Sequence, residues 1–146
     1  DPVRRVSAHC SSAITNFMDG ASEELVLPYM AEISAKLGIH MQQGISIQKE
    51  NAVTAFASSA VAIKENFDPR FNETVDFLLN CLNDNQGPNY RQFRAQCIEA
   101  ITLISSAVSQ EVFDPQADKI VAAMIYIQNS NMDQNDPQRS YLLSAW

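Results

Sequence analysis

The sequence predicts an all-α fold, an α-solenoid of about three helix hairpins plus the first helix of a fourth. Three observations carry that prediction. Asp-Pro occurs at Asp1, Asp68, Asp114 and Asp136, so four of the six prolines follow an aspartate. Apolar residues at helical spacing follow each of these pairs, and no segment alternates apolar and polar residues as a strand would. The sequence also matches itself in chemical type when shifted by 45 residues.

The Asp-Pro pairs set the element starts. An aspartate at the N-cap accepts from orphan backbone N–H groups, and proline suits the first helical position because it lacks an N–H and has a preset φ. With "MDGAS", "NDNQGPN" and "NSNMDQND" as breaks, helices are expected over roughly 2–19, 24–42, 46–65, 69–84, 89–110, 115–129 and from 137 onward. In this reading Asp1 and Asp136 open first helices of a pair, and Asp68 and Asp114 open second helices.

The 45-residue shift aligns a basic column (Arg4, Lys49, Arg94, Arg139) and an apolar one (Ala8, Val53, Ile98, Leu143). It also aligns a small column (Cys10, Ala55, Ala100, Ala145) and a further column of Ser11, Phe56, Ile101 and Trp146. In the second helices it aligns Met30, Val75 and Ile120, and then Leu37, Leu82 and Ile127. A period of 40–47 residues with two helices per unit is the pattern of HEAT or armadillo-type repeats. The expected repeats are 1–44, 45–87, 88–133 and a partial 134–146. One pair cannot bury its apolar face alone, so neighbours stack into a continuous core, and the small column lets the first helices approach closely. The chain reads as a piece cut from something longer, whose uncapped ends would favour association.

Composition agrees. Four glycines among 146 residues disfavour a turn-rich β fold, and a 46% hydrophobic fraction is enough for a core. Ten bases against 17 acids give a net charge of −7, which argues against sequence-independent nucleic-acid binding. No run of 18 apolar residues is present, so no membrane span is expected. Cys10, Cys81 and Cys97 lack metal-type spacing and read as reduced core cysteines.

The charge is unevenly placed. The second-helix segments 21–43, 67–86 and 112–132 hold nine acids and three bases, a net of −6, and the remainder holds eight acids and seven bases. If the second helices line the concave wall of the solenoid, that wall attracts a basic partner. Asp76, Asn80 and Asp84 form one stripe of the second such helix, opposite Val75, Leu78, Leu79 and Leu82. Matching stripes are Glu32, Lys36 and His40 in the first, and Asp118, Ala122, Tyr126 and Asn129 in the third. No catalytic constellation is visible. His9 and Cys10 are adjacent and diverge on a helix, and no phosphate loop, HExxH pattern or EF-hand loop occurs. No enzyme, metal or cofactor is expected.

Four phrases, "VSAHCSSAITNFMDGASEELVLPYM", "FASSAVAIKENF", "CIEAITLISSAVSQEVF" and "NDPQRSYLLSAW", resemble the middle of karyopherin-β (importin-β) family transport receptors, of the importin-five type. The likeness runs through the whole chain. It implies a nuclear import receptor that shuttles between cytoplasm and nucleus, binds basic cargo, passes FG-repeat nucleoporins and releases cargo to RanGTP. It also implies that Ran binds mainly through amino-terminal repeats outside this stretch. Lysine-rich signals would bind the second helices of the middle repeats. Asn16, Asn80 and Asn129 lie in matching phrases. The family's "PYLD" reads "PYMA" here and its "YYD" reads "RFN", so Ala31 and Asn72 stand where acids are expected. Glu32 and Asp76 follow one and four positions later. The expected cargo contacts are therefore Glu32, Asp76, Asn80, Asp84, Asp118 and Asn129. The alternative is a HEAT scaffold of another class, such as a phosphatase regulatory subunit or an assembly factor.

Overall fold

The computed structural model describes residues 3–146, and every regular element among them is helical. The first helices of the pairs are α1 (Arg4–Met18), α4 (Ser46–Ile63), α6 (Arg91–Ala107) and α8 (Pro137–Ala145). They pack side by side in that order as one layer. The second layer holds α2 (Glu23–Val26), α3 (Met30–Gln43), α5 (Phe71–Asp84) and α7 (Gln110–Gln128), with α3 packed on α4, α5 on α6, and α7 beside α5.

Close approach of the first layer follows from small side chains. Ala52, Ala55, Ala60, Cys97 and Ala100 are all buried, and α4, in the middle of the stack, is covered on nearly every side. Polar groups then fix the register between neighbouring repeats. Asn51 Nδ2 donates to the Ala8 carbonyl at 3.1 Å, and Gln48 Nε2 donates to Ser7 Oγ at 2.6 Å. Ser46 Oγ donates to the Asn89 carbonyl at 2.8 Å. Each partner lies one repeat away, so a slip of one turn breaks all three bonds.

Between the layers runs one continuous apolar cluster, whose largest fully buried members include Phe67, Phe71, Phe93, Met30, Ile63 and Leu78. The aligned columns Met30, Val75, Ile120 and Ala8, Val53, Ile98 all lie inside. The counterpart Leu143 is exposed, as is Trp146 from the column of Ser11, Phe56 and Ile101, because α8 has a neighbouring helix on one side only among the described residues. Cys81 and Cys97 are buried free thiols, and desolvation pushes the Cys81 thiol up to about 11. Cys10, expected in the core, is exposed on α1.

The basic column has a structural task. Lys49 is buried and its ammonium donates to the carbonyls of Met41 at 2.6 Å and Gln42 at 2.8 Å, the C-terminal end of α3. One repeat later Arg94 Nη1 donates to the carbonyls of Asn85 at 2.6 Å and Gly87 at 3.1 Å, just past α5. Lys49 thereby satisfies carbonyls that α3 leaves orphaned at the negative end of its macrodipole, and Arg94 ties down the cap residue and loop that leave α5. Burial lowers the pKa of both groups. Between α3 and α4 the chain turns at Gly44, where an added Cβ would lie 2.4 Å from the His40 carbonyl oxygen and 2.8 Å from Gln48 Cβ.

Element boundaries depart from the sequence reading at the prolines. The helix expected over 24–42 is broken by a 3₁₀ turn, Leu27–Tyr29, carrying Pro28. A longer 3₁₀ stretch, Lys64–Arg70, contains Asp68 and Pro69 ahead of α5, so Asp68 does not cap that helix. Asp68 instead accepts from the backbone N–H of Ser109 at 3.2 Å and from Ser109 Oγ at 2.6 Å. Ser109 is the N-cap of α7, which begins at Gln110 and runs through Asp114 and Pro115. Asp114 is therefore an exposed interior residue, not a cap. Asp136 is a true N-cap: its Oδ1 accepts from the Gln138 N–H at 3.0 Å, with Pro137 at the first helical position. Asp1 lies outside the described residues.

Candidate binding face on the second helices

With the observed bounds, and the 3₁₀ stretch counted with α5, the second elements hold eleven acids and four bases. That is −7, the whole net charge of the chain. The first helices and the remaining loops are balanced, because Glu65 and Glu111 fall on the second side together with Lys64.

Between α5 and α7 lies a groove of about 850 Å³. Asp76 and Asn80 line it, as do Asn83, Arg91, Lys119 and Tyr126. From α7 it takes Lys119, Ala123, Tyr126 and Ile127, one stripe at helical spacing, with Ser130 just past the helix end. Tyr126 is 75% exposed, which is unusual for so large a ring and leaves its face accessible along the groove.

Of the six residues expected to contact cargo, the structure brings two together in this groove, Asp76 and Asn80. Asp84 sits exposed at the C-terminal end of α5, and Asp118 is exposed on α7 beside Lys119, but neither lines the groove. Asn129 is the C-cap residue of α7, exposed next to the lining residues Ser130 and Asn131. Glu32 lies apart on α3, where Lys36 Nζ pairs with it at 2.5 Å. That hydrogen bond and the charge of Lys36 hold the Glu32 carboxyl below its ordinary pKa. His40, on the same stripe, is half-buried, with Nδ1 sealed from solvent and unpartnered.

The groove itself is not acidic. Its ionisable lining is Asp76 and Asp136 against Arg91, Arg94 and Lys119. Most of this charge is internally paired. Lys119 Nζ bonds to Asp76 Oδ1, and Arg91 pairs with Asp133 at 2.7 Å and lies 3.6 Å from the buried Asp136. Arg94 Nε also donates to Gln138 Oε1 at 3.1 Å. The other acids of α5 and α7, such as Glu73, Asp84 and Asp118, are exposed outside the groove lining. The sequence reading missed Lys119 as Asp76's partner, although their separation of 43 residues is close to one repeat. No group of three or more His, Cys, Asp or Glu among the described residues is placed to hold a metal ion. Among the described residues no helix is long and apolar enough to cross a membrane.

No protein-family model matches the chain. Individual relatives do. Importin subunit beta-3 of Saccharomyces cerevisiae is 32% identical over 142 residues, which is 97% of this chain and 13% of that protein. A probable importin-5 homolog of Dictyostelium discoideum is 25% identical over 133 residues, 91% of this chain and 12% of that one. The chain therefore spans about an eighth of the length of these relatives. Among solved structures, Kap121p superposes on 98% of the chain with a TM-score of 0.86 at 30% identity, using 13% of its own length. Kap121p bound to Pho4p gives 0.85, bound to Nup53p 0.85 and bound to RanGTP 0.73, each at 29% identity with the same coverage of both chains.

Proposed function

The chain belongs to the karyopherin-β family as a HEAT-repeat segment similar to importin beta-3 and importin-5 proteins, and from that premise we propose that it forms part of the cargo-binding wall of a nuclear import receptor. In this reading the second-helix layer contributes to holding a basic segment of cargo. The full receptor moves between cytoplasm and nucleus, with RanGTP and FG nucleoporins engaged through the whole protein. The observation that carries it is the placement of the entire net charge on the second elements, two of which, α5 and α7, form a groove that presents Asp76, Asn80 and Tyr126. Kap121p, solved with Pho4p, Nup53p and RanGTP, supports the reading by likeness. Asn80, Asn83 and Asn131 suit a peptide backbone, since each carboxamide both donates and accepts. Asp84 and Asp118 supply steering, and Glu32 and Asn129 extend the same face to either side. The relatives reported are importins, which leaves the phosphatase-scaffold alternative without support.

A fluorescently labelled lysine-rich octapeptide titrated against wild type and Asp76→Ala/Asp84→Ala tests the proposal. The double variant is expected to bind about 3–10-fold more weakly, and wild-type affinity to fall as salt rises. Equal affinities, or binding that ignores salt, would contradict it.

A further inference from the structure

Asp76 does not stand open to a partner. The Lys119 ammonium already occupies it, reaching across from α7 to α5. The two side chains are 49% and 54% exposed, so the pair is held in water and not locked in the core. Exposed pairs of this kind exchange readily, because Coulomb attraction is offset by hydration and side-chain entropy. Both residues line the groove, and on α7 Lys119 lies on the same stripe as Tyr126, seven residues on.

An incoming lysine therefore meets a carboxylate whose charge is already matched and a second ammonium of like sign. We propose that Lys119 is an internal stand-in for a partner's lysine: it occupies Asp76 in the free protein, and a basic segment binds there by exchanging one ammonium for another. The inference rests on the cargo-wall reading and names the residue that sets its selectivity. A partner with a single lysine gains little from the exchange. A partner with several gains, because its other charges reach Asp84 and Asp118 while one displaces Lys119. The displaced ammonium, or the partner's own, has the open Tyr126 ring within the same groove as a cation–π surface.

The test is a four-protein cycle with the whole chain: wild type, Lys119→Gln, Asp76→Asn and the double variant, each titrated with the same lysine-rich octapeptide. Thermal unfolding of each variant checks that these exposed substitutions leave the fold intact. Lys119→Gln is expected to tighten binding about 3–10-fold on the wild-type background and to change it little on the Asp76→Asn background. An unchanged or weakened affinity for Lys119→Gln overturns the proposal. So does a gain that persists in full without the Asp76 carboxylate, since that would be a general charge effect. If the peptide binds wild type and Asp76→Asn equally, the stand-in role falls while binding of a basic segment stands. If none of the four binds the peptide, the cargo-wall reading falls and takes this inference with it.

Discussion

Lys49 and Arg94 stand one repeat apart and do the same work, closing the C-terminal end of the preceding helix with a buried cation. The column was legible in the sequence because a base recurs every 45 residues. Its task was not, because capping a carbonyl depends on where another helix ends in space. The same holds for Cys10, whose apolar context on α1 gave no sign that its side of the helix faces outward. Arg94 makes three hydrogen bonds, to the carbonyls of Asn85 and Gly87 and to Gln138 Oε1. Arg94→Met keeps much of the volume but takes the Arg94 donor away from the Asn85 carbonyl and Gln138 Oε1, at a cost of about 2–4 kcal/mol. Urea unfolding checks this, with the exposed Arg139→Met expected to stay within about 0.5 kcal/mol of wild type. Equal losses for the two would mean that Arg94 is no cap.

The Asp-Pro pairs show how far local rules reach along an element. Asp136 behaves as the rule says, because Pro137 opens α8 and the carboxylate is free to bond the Gln138 N–H. Asp68 does not, because Pro69 falls within a 3₁₀ stretch, and its carboxylate serves Ser109 at the start of α7, 41 residues on. Anchored there, α7 starts five residues earlier than its proline predicts, and Pro115 is carried inside the helix. Helix existence and order were thus readable from periodicity. Boundaries were lost where a contact between repeats outweighed a local signal. Asp68→Ala should cost about 1 kcal/mol, the usual worth of a helix cap. Amide exchange at Ser109 should quicken, with the α8 cap at Asp136 unaffected. Unaltered protection at Ser109 would show that α7 starts without help from Asp68.

At the scale of the whole molecule, the repeat period gave the solenoid, since residues one period apart must occupy equivalent places when each repeat contacts its neighbours. It also placed the charge on one layer. It did not show the groove between α5 and α7, or that the groove is lined by three bases and two acids, because adjacent repeats contribute unlike residues to it. Asp76 and Asn80 came from a stripe on one helix, but their neighbours Lys119 and Tyr126 come from the next. The central claim is that the second-helix layer is the binding face. Mapping backbone amide shifts by ¹⁵N–¹H NMR during titration with the lysine-rich peptide tests it most directly. Salt-sensitive shifts are expected at Asp76, Asn80, Lys119 and Tyr126, with exposed first-layer residues such as Phe17 and Leu103 unmoved. Shifts confined to Phe17, Leu103 and their layer would contradict the account.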